Sequence, residues 1–168
     1  MSTVAAPVLV HASAVSLGEA VRRFGGPDGI AVLLIGASGS GKSDVALRLI
    51  AEGGTLISDD QTSLSSDGVH LFAENVDSIA GQIEIRGVGI IGVPYTAKAP
   101  IALVVRLDTS AAAARLPDPA LYAPPAPLCA SRLPPLLTLH PFQPSTTAKI
   151  TAAAAAAVSG RFVAGVAP

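Results

Sequence analysis

Residues 36 to 43 read Gly36, Ala37, Ser38, Gly39, Ser40, Gly41, Lys42 and Ser43, a complete phosphate-binding loop pattern. A triphosphate tail needs several backbone N–H groups converging on it, and only a glycine-rich turn lets the chain come that close. Lys42 then brings a point charge to the outer phosphates. The hydroxyl of Ser43 is placed to ligate a divalent cation, and the N-terminus of a following helix adds its partial positive charge. The chemistry these residues point to is the binding of a nucleoside triphosphate with its Mg²⁺. A second group, Asp59-Asp60, stands next after the loop at the end of a β-rich run. One carboxylate there can serve the metal through water while the other accepts a proton from an attacking hydroxyl; a solvated turn after a strand is the competing reading of that pair. Glu84 and Arg86 are two apart, so in an extended segment they share a face and can be aimed at the same metal–phosphate centre or form a surface ion pair.

Such groups work only if secondary structure brings them together. Before the loop, Ile30, Ala31, Val32, Leu33, Leu34 and Ile35 form a short apolar run suited to a buried strand; after it, Val45, Ala46, Leu49 and Ile50 recur at helical spacing until Gly53-Gly54. Residues 8–10 read as a strand, and 16–24 as a short helix capped by Ser16, closed by the glycine-rich turn 25–29. Residues 55–58 form a second strand, and a hairpin follows with arms 61–65 and 69–73. The segment 81–93 alternates polar and apolar residues before turning apolar, with glycines that permit a bend. Residues 101–107 make a buried strand, 136–139 a last one, and the alanine-rich 145–158 a closing helix. Between them, 111–135 is dominated by Ala and Pro, which sustain neither helix nor central strand. The whole reads as one α/β domain: a phosphate-loop core with a mixed sheet and a C-terminal helix.

Composition narrows the function. The 168 residues are 50% hydrophobic, but no apolar run reaches the roughly 18 residues of a membrane span. Eleven basic against twelve acidic residues, and no Trp, leave neither a broad basic footprint nor a stacking surface for nucleic acid. Residues 1–7 lack the features of a secretory signal and Cys129 is the lone cysteine, so a cytoplasmic protein without disulfides is expected. His70 reads as a solvent-facing hairpin residue.

Taken together, the loop with Lys42-Ser43, the Ser58-Asp59-Asp60 strand end and above all Glu84-Ile85-Arg86-Gly87-Val88-Gly89-Ile90-Ile91-Gly92-Val93 resemble the catalytic domain of HPr kinase/phosphorylase. That resemblance extends from about Val10 onward and implies a short form without the family's N-terminal domain. It implies a Mg-ATP-dependent serine kinase acting on the phosphocarrier HPr of the phosphotransferase system, in a homo-oligomer that is hexameric in longer members. By the same resemblance, Ser43 and Glu84 would ligate Mg²⁺, Lys42 would hold the transferring phosphate, Asp60 would accept the serine proton and Asp59 would support it. His11, in a Val-His-Ala-Ser context, would contact phosphate. Arg115 would be the arginine that stabilises charge on the phosphoryl group, with Arg132 as a substitute. Asp44 and Gly92 are small departures from the family pattern. A larger one is Pro141-Phe142-Gln143-Pro144-Ser145-Thr146, where the family carries a loop with two arginines linked to dephosphorylation. Without those guanidiniums the phosphorylase half is not expected here. Two other classes use the same loop: a regulatory module that binds ATP without transfer, and a small-molecule kinase. The first is disfavoured by a potential base at Asp60, the second by an arginine-poor 111–135 segment.

Overall fold

A computed structural model describes residues 5–165, so the first four residues of the N-terminal stretch lie outside it. Among the described residues, ten strands and two α-helices follow one another, with strand and helix alternating around the phosphate loop. The main sheet has the order β1 (Val8–His11), β5 (Gln61–Ser66), β6 (Leu71–Glu74), β9 (Lys98–Leu107), β3 (Ile30–Ile35), β2 (Ser13–Leu17) and β4 (Thr55–Ser58), with β10 (Leu136–Leu139) pairing β9. It is mixed, as the sequence implies: β3 runs parallel to β9 and antiparallel to β2.

Alternation along the central strands sends side chains into two cores. Leu34, Leu103 and Val105 join Val45, Leu49, Ile150 and Ala154 under helices α1 (Lys42–Ala51) and α2 (Thr146–Ser159). Leu33 and Val104 join Ile57, Leu64, Leu71 and Leu128 on the other face. Among the described residues no helix covers that second face. The 111–135 excursion does so instead, placing Leu128, Tyr122 and Leu133 on it, which explains a long Pro-rich segment inside a compact domain.

One expected element is different. Residues 16–24 are predicted as a helix capped by Ser16, yet Ser16 lies in β2, a fully buried strand, and only Glu19–Phe24 turns, as a 3₁₀ helix. β2 pairs on both edges, with β3 and with β4. Two ladders outweigh the local capping signal, and a strand enclosed on both sides has no need of polar–apolar alternation. The 81–93 segment also resolves further, into a separate antiparallel pair of β7 (Gln82–Ile85) and β8 (Gly89–Gly92). Among the described residues no helix is long and apolar enough to cross a membrane.

The position of β2 determines where chemistry can occur. Because β3 and β4 are both antiparallel to it, they run the same way and end at one edge of the sheet. β3 leads there into the phosphate loop and β4 into Asp59-Asp60. At that edge the chain also enters β2 through His11, Ala12 and Ser13, and His11 lies opposite Gln61 in the β1–β5 ladder.

Candidate active site

The phosphate loop closes on its own lysine. Lys42 Nζ donates to the carbonyls of Gly36 and Ala37, both at 3.0 Å, and Ser40 N–H donates to Ala37 O at 3.0 Å. Gly41 begins α1 at φ +91 with no side-chain cap, so the first amides of the helix keep their orphan donors for a ligand. Ser40 Oγ is buried without a hydrogen-bond partner and packs inward against Gly36. Unshared amides at the start of a helix are what a phosphate chain would satisfy. Burial lowers the pKa of Lys42 below that of an ordinary lysine, against the opposing charges of Asp60 and Asp59.

Asp59 and Asp60 are consecutive in sequence but do different things. Asp60 has φ +65, the only non-glycine residue in the left-handed region among those described, and that turn points the two carboxylates apart. Gln61 N–H to Asp59 O at 2.8 Å and Ala12 N–H to Asp60 O at 3.1 Å hold the turn. Asp59 faces inward and is only 5% exposed. Its Oδ1 accepts from the hydroxyls of Ser43 and Ser13, each at 2.8 Å, and its Oδ2 accepts from Glu84 N–H at 3.2 Å. One buried carboxylate thus ties the phosphate-loop serine, β2 and β7 together. Asp60 faces outward, its side chain 67% exposed, with Oδ1 3.2 Å from His11 Nδ1. Its own N–H donates to Ser13 Oγ at 3.3 Å, so Ser13 links the two aspartates.

Around these groups lies an open cavity of about 520 Å³. Lys42, Ser43, Asp60, His11 and Glu84 line it, with Ser38, Gly39 and Gly41 of the loop. Gly36 and Ala37 stand behind, as acceptors for Lys42. Arg86 also faces the cavity. Arg115 does not line it; it is exposed in the 111–135 excursion, as is Arg132. Among the described residues no cluster of three or more His, Cys, Asp or Glu side chains could cage a metal. Mg²⁺ does not require one, since it keeps several waters and takes one or two carboxylates plus phosphate oxygens. The Ser43 hydroxyl, Asp59 and the Glu84 carboxylate are the groups that could hold it.

Ser13 is the residue that sequence reasoning passed over. Its only signal is its place two residues after His11. The loop at 141–146 also takes a part not read from its sequence. Arg48 of α1 donates to the carbonyls of Pro141 and Gln143, and Phe142 between them lines the cavity.

The family model described as HPr Serine kinase C-terminal domain matches residues 28–115, just over half of the chain. HPr kinase/phosphorylase of Clostridium tetani is 41% identical over 66 residues, which are 39% of this chain and 22% of that protein. Its counterpart in Lactococcus lactis subsp. lactis is 44% identical over 66 residues, 39% of this chain and 21% of the relative. The matched part thus spans about a fifth of the length of these curated relatives. Among solved structures, the HPr(Ser) kinase/phosphatase from Coxiella burnetii superposes with a TM-score of 0.63, covering 91% of this chain and 89% of that one at 20% identity, a likeness of fold. With the phosphate loop, the Asp59-Asp60 turn and the Glu84 hairpin all inside or at the heart of the matched region, the chain belongs to the HPr serine kinase C-terminal domain family.

Proposed function

We propose that this protein is a Mg-ATP-dependent kinase that phosphorylates a serine of an HPr-type phosphocarrier. The single observation that carries the reading is the division of labour at Asp59-Asp60: one carboxylate buried on the phosphate-loop serine, the other exposed at the cavity wall beside His11. A protein that only stored nucleotide would have no use for a strained, outward carboxylate there.

In this reading Lys42 and the amides at the start of α1 hold the β- and γ-phosphates. Ser43, Asp59 and Glu84 are the residues that would hold Mg²⁺, which when bound neutralises phosphate charge. The acceptor serine hydroxyl approaches between Asp60 and the γ-phosphate. Its oxygen forms the new P–O bond as the bond to the β-phosphate oxygen breaks, ADP leaves, and the hydroxyl proton passes to Asp60. His11 keeps the Asp60 carboxylate oriented, and Arg86, at the cavity wall, meets the charge of the transferring group. Arg86 lines the cavity and Arg115 does not, which supports giving Arg86 the charge-stabilising role that the resemblance assigns to Arg115.

A protein acceptor, rather than a small metabolite, is supported by the hairpin that carries Glu84 and Arg86. Its turn and second strand expose Val88 at 71% and Ile90 at 68%, an apolar edge beside the cavity for which a metabolite has no use. The same exposed edge suits contact with further copies of the chain, in line with the homo-oligomer that the resemblance implies. Phosphorolysis is not proposed: the 141–146 loop has no arginine, and Arg48 beneath it is engaged with backbone carbonyls. The test is to follow label from the γ-phosphate of ATP onto an HPr-type phosphocarrier; transfer that disappears in Lys42→Ala supports the reading.

The lowered pKa of Lys42 makes a further prediction. Its ammonium is what the phosphates bind, so ATP affinity falls as pH rises through the Lys42 pKa. That fall begins at lower pH than for an ordinary lysine. A titration of ATP affinity against pH checks this, with Lys42→Ala expected to be flat over the same range.

A further inference from the structure

Phe142 is a large aromatic side chain 54% exposed, yet its backbone is held on both sides by side-chain hydrogen bonds. Arg48, two turns into α1, donates through Nη2 to Pro141 O and through Nη1 to Gln143 O at 3.4 Å, gripping the residues on both sides of it. Its own N–H donates to His140 Nδ1 at 3.1 Å, its ring meets the His140 ring edge-on at 6.0 Å, and Thr146 Oγ1 donates to His140 O at 2.7 Å. Polar contacts that fix the backbone while the ring is left in solvent do not serve a hydrophobic core. They serve presentation of the ring.

What the ring is presented to follows from its neighbours. A Cβ built on Gly41 would lie 3.1 Å from the ring's Cζ, so Phe142 rests against the residue that begins α1, where a phosphate chain would be held. It lines the same cavity as Lys42 and Ser43. Also in that lining are Leu47, one turn past Ser43 on α1, and Ile85 on β7. A bare polyphosphate has no use for an apolar wall, whereas a nucleoside attached to it does.

We infer that Phe142 is the stacking platform for the nucleobase, with Leu47 and Ile85 completing the apolar part of the nucleotide site. This rests on the nucleotide reading above and adds to it a residue outside the phosphate loop. A base laid on the phenyl face removes apolar surface of both from water, and the fixed backbone means little freedom is lost when it docks.

The experiment separates base from phosphates. ATP and inorganic tripolyphosphate are titrated, each with Mg²⁺, into the full chain and into Phe142→Ala. Expected is a roughly tenfold loss of ATP affinity, near the low end for one base on one aromatic ring, with tripolyphosphate affinity unchanged. Since the chain has no tryptophan, Phe142→Trp introduces a single indole at this position. Its fluorescence is expected to be quenched by ATP and unaffected by tripolyphosphate. Equal loss of both ligands in Phe142→Ala, loss of neither, or no ATP-specific quenching overturns the stacking role while leaving the nucleotide reading intact. If the unmodified chain binds neither ATP nor tripolyphosphate, the nucleotide reading fails and the stacking role with it.

Discussion

Asp60→Asn is expected to slow phosphoryl transfer about 10³-fold, within the range for loss of a general base, while Mg-ATP affinity stays the same or tightens. The amide cannot take the serine proton, and its shape preserves the turn. Asparagine tolerates the left-handed conformation that Asp60 adopts at φ +65, whereas Asp60→Ala adds a backbone cost of about 1 kcal/mol to the chemical one. Tighter nucleotide binding would follow from removing a negative charge beside the phosphates. Single-turnover transfer and equilibrium ATP binding, measured on the same preparations, separate the two effects. Full activity in Asp60→Asn would remove Asp60 from the reaction, and loss of ATP binding in step with transfer would make it a structural residue.

The second large effect is at Asp59, and it appears in folding as well as in activity. Asp59→Ala leaves the hydroxyls of Ser13 and Ser43 and the amide of Glu84 without their acceptor. Ser13 is fully buried, away from bulk solvent that could replace the lost partner. Unsatisfied groups of this kind cost about 1–3 kcal/mol each, partly recovered where the site relaxes, so the unfolding free energy is expected to fall by about 3 kcal/mol. Urea denaturation measures that loss. Because Asp59 also orients Ser43, Mg²⁺-dependent ATP binding should weaken more than binding in the presence of a chelator. An Asp59→Ala protein as stable as its parent would show that the buried network is not a support for the site.

The contrast between the two aspartates marks the limit of what the sequence makes legible. The strand, loop and helix from Ile30 to Ala51 can be read from local pattern because glycine positions, apolar run and helical spacing all report on neighbouring residues. The mixed sheet and the closing helix follow in the same way. Which carboxylate turns inward depends on a left-handed residue at 60 and on β2 lying between β3 and β4, and both are tertiary facts. Ser16 looks like a helix cap until two ladders enclose it, with Ser13, in a central strand. The hairpin of Glu84 is similar. Glycines at 87 and 89 announce a bend, but only the pairing of Glu84 with Ile90 shows that Arg86 sits at its tip. Phe142 was legible only as part of a departure from a motif. Its role depends on Arg48, 94 positions away in sequence, whose guanidinium no local pattern ties to that loop.

The most direct measurement is to incubate the purified chain with Mg-ATP and an HPr-type phosphocarrier and to map phosphate on the acceptor by mass spectrometry, with Lys42→Ala and Asp60→Asn alongside. The account predicts a single phosphoserine with the parent chain and none with Lys42→Ala. With Asp60→Asn it predicts a trace only, although that variant still binds ATP. An acceptor left unmodified by a parent chain that binds ATP tightly would contradict the kinase assignment and make the protein a nucleotide-sensing module.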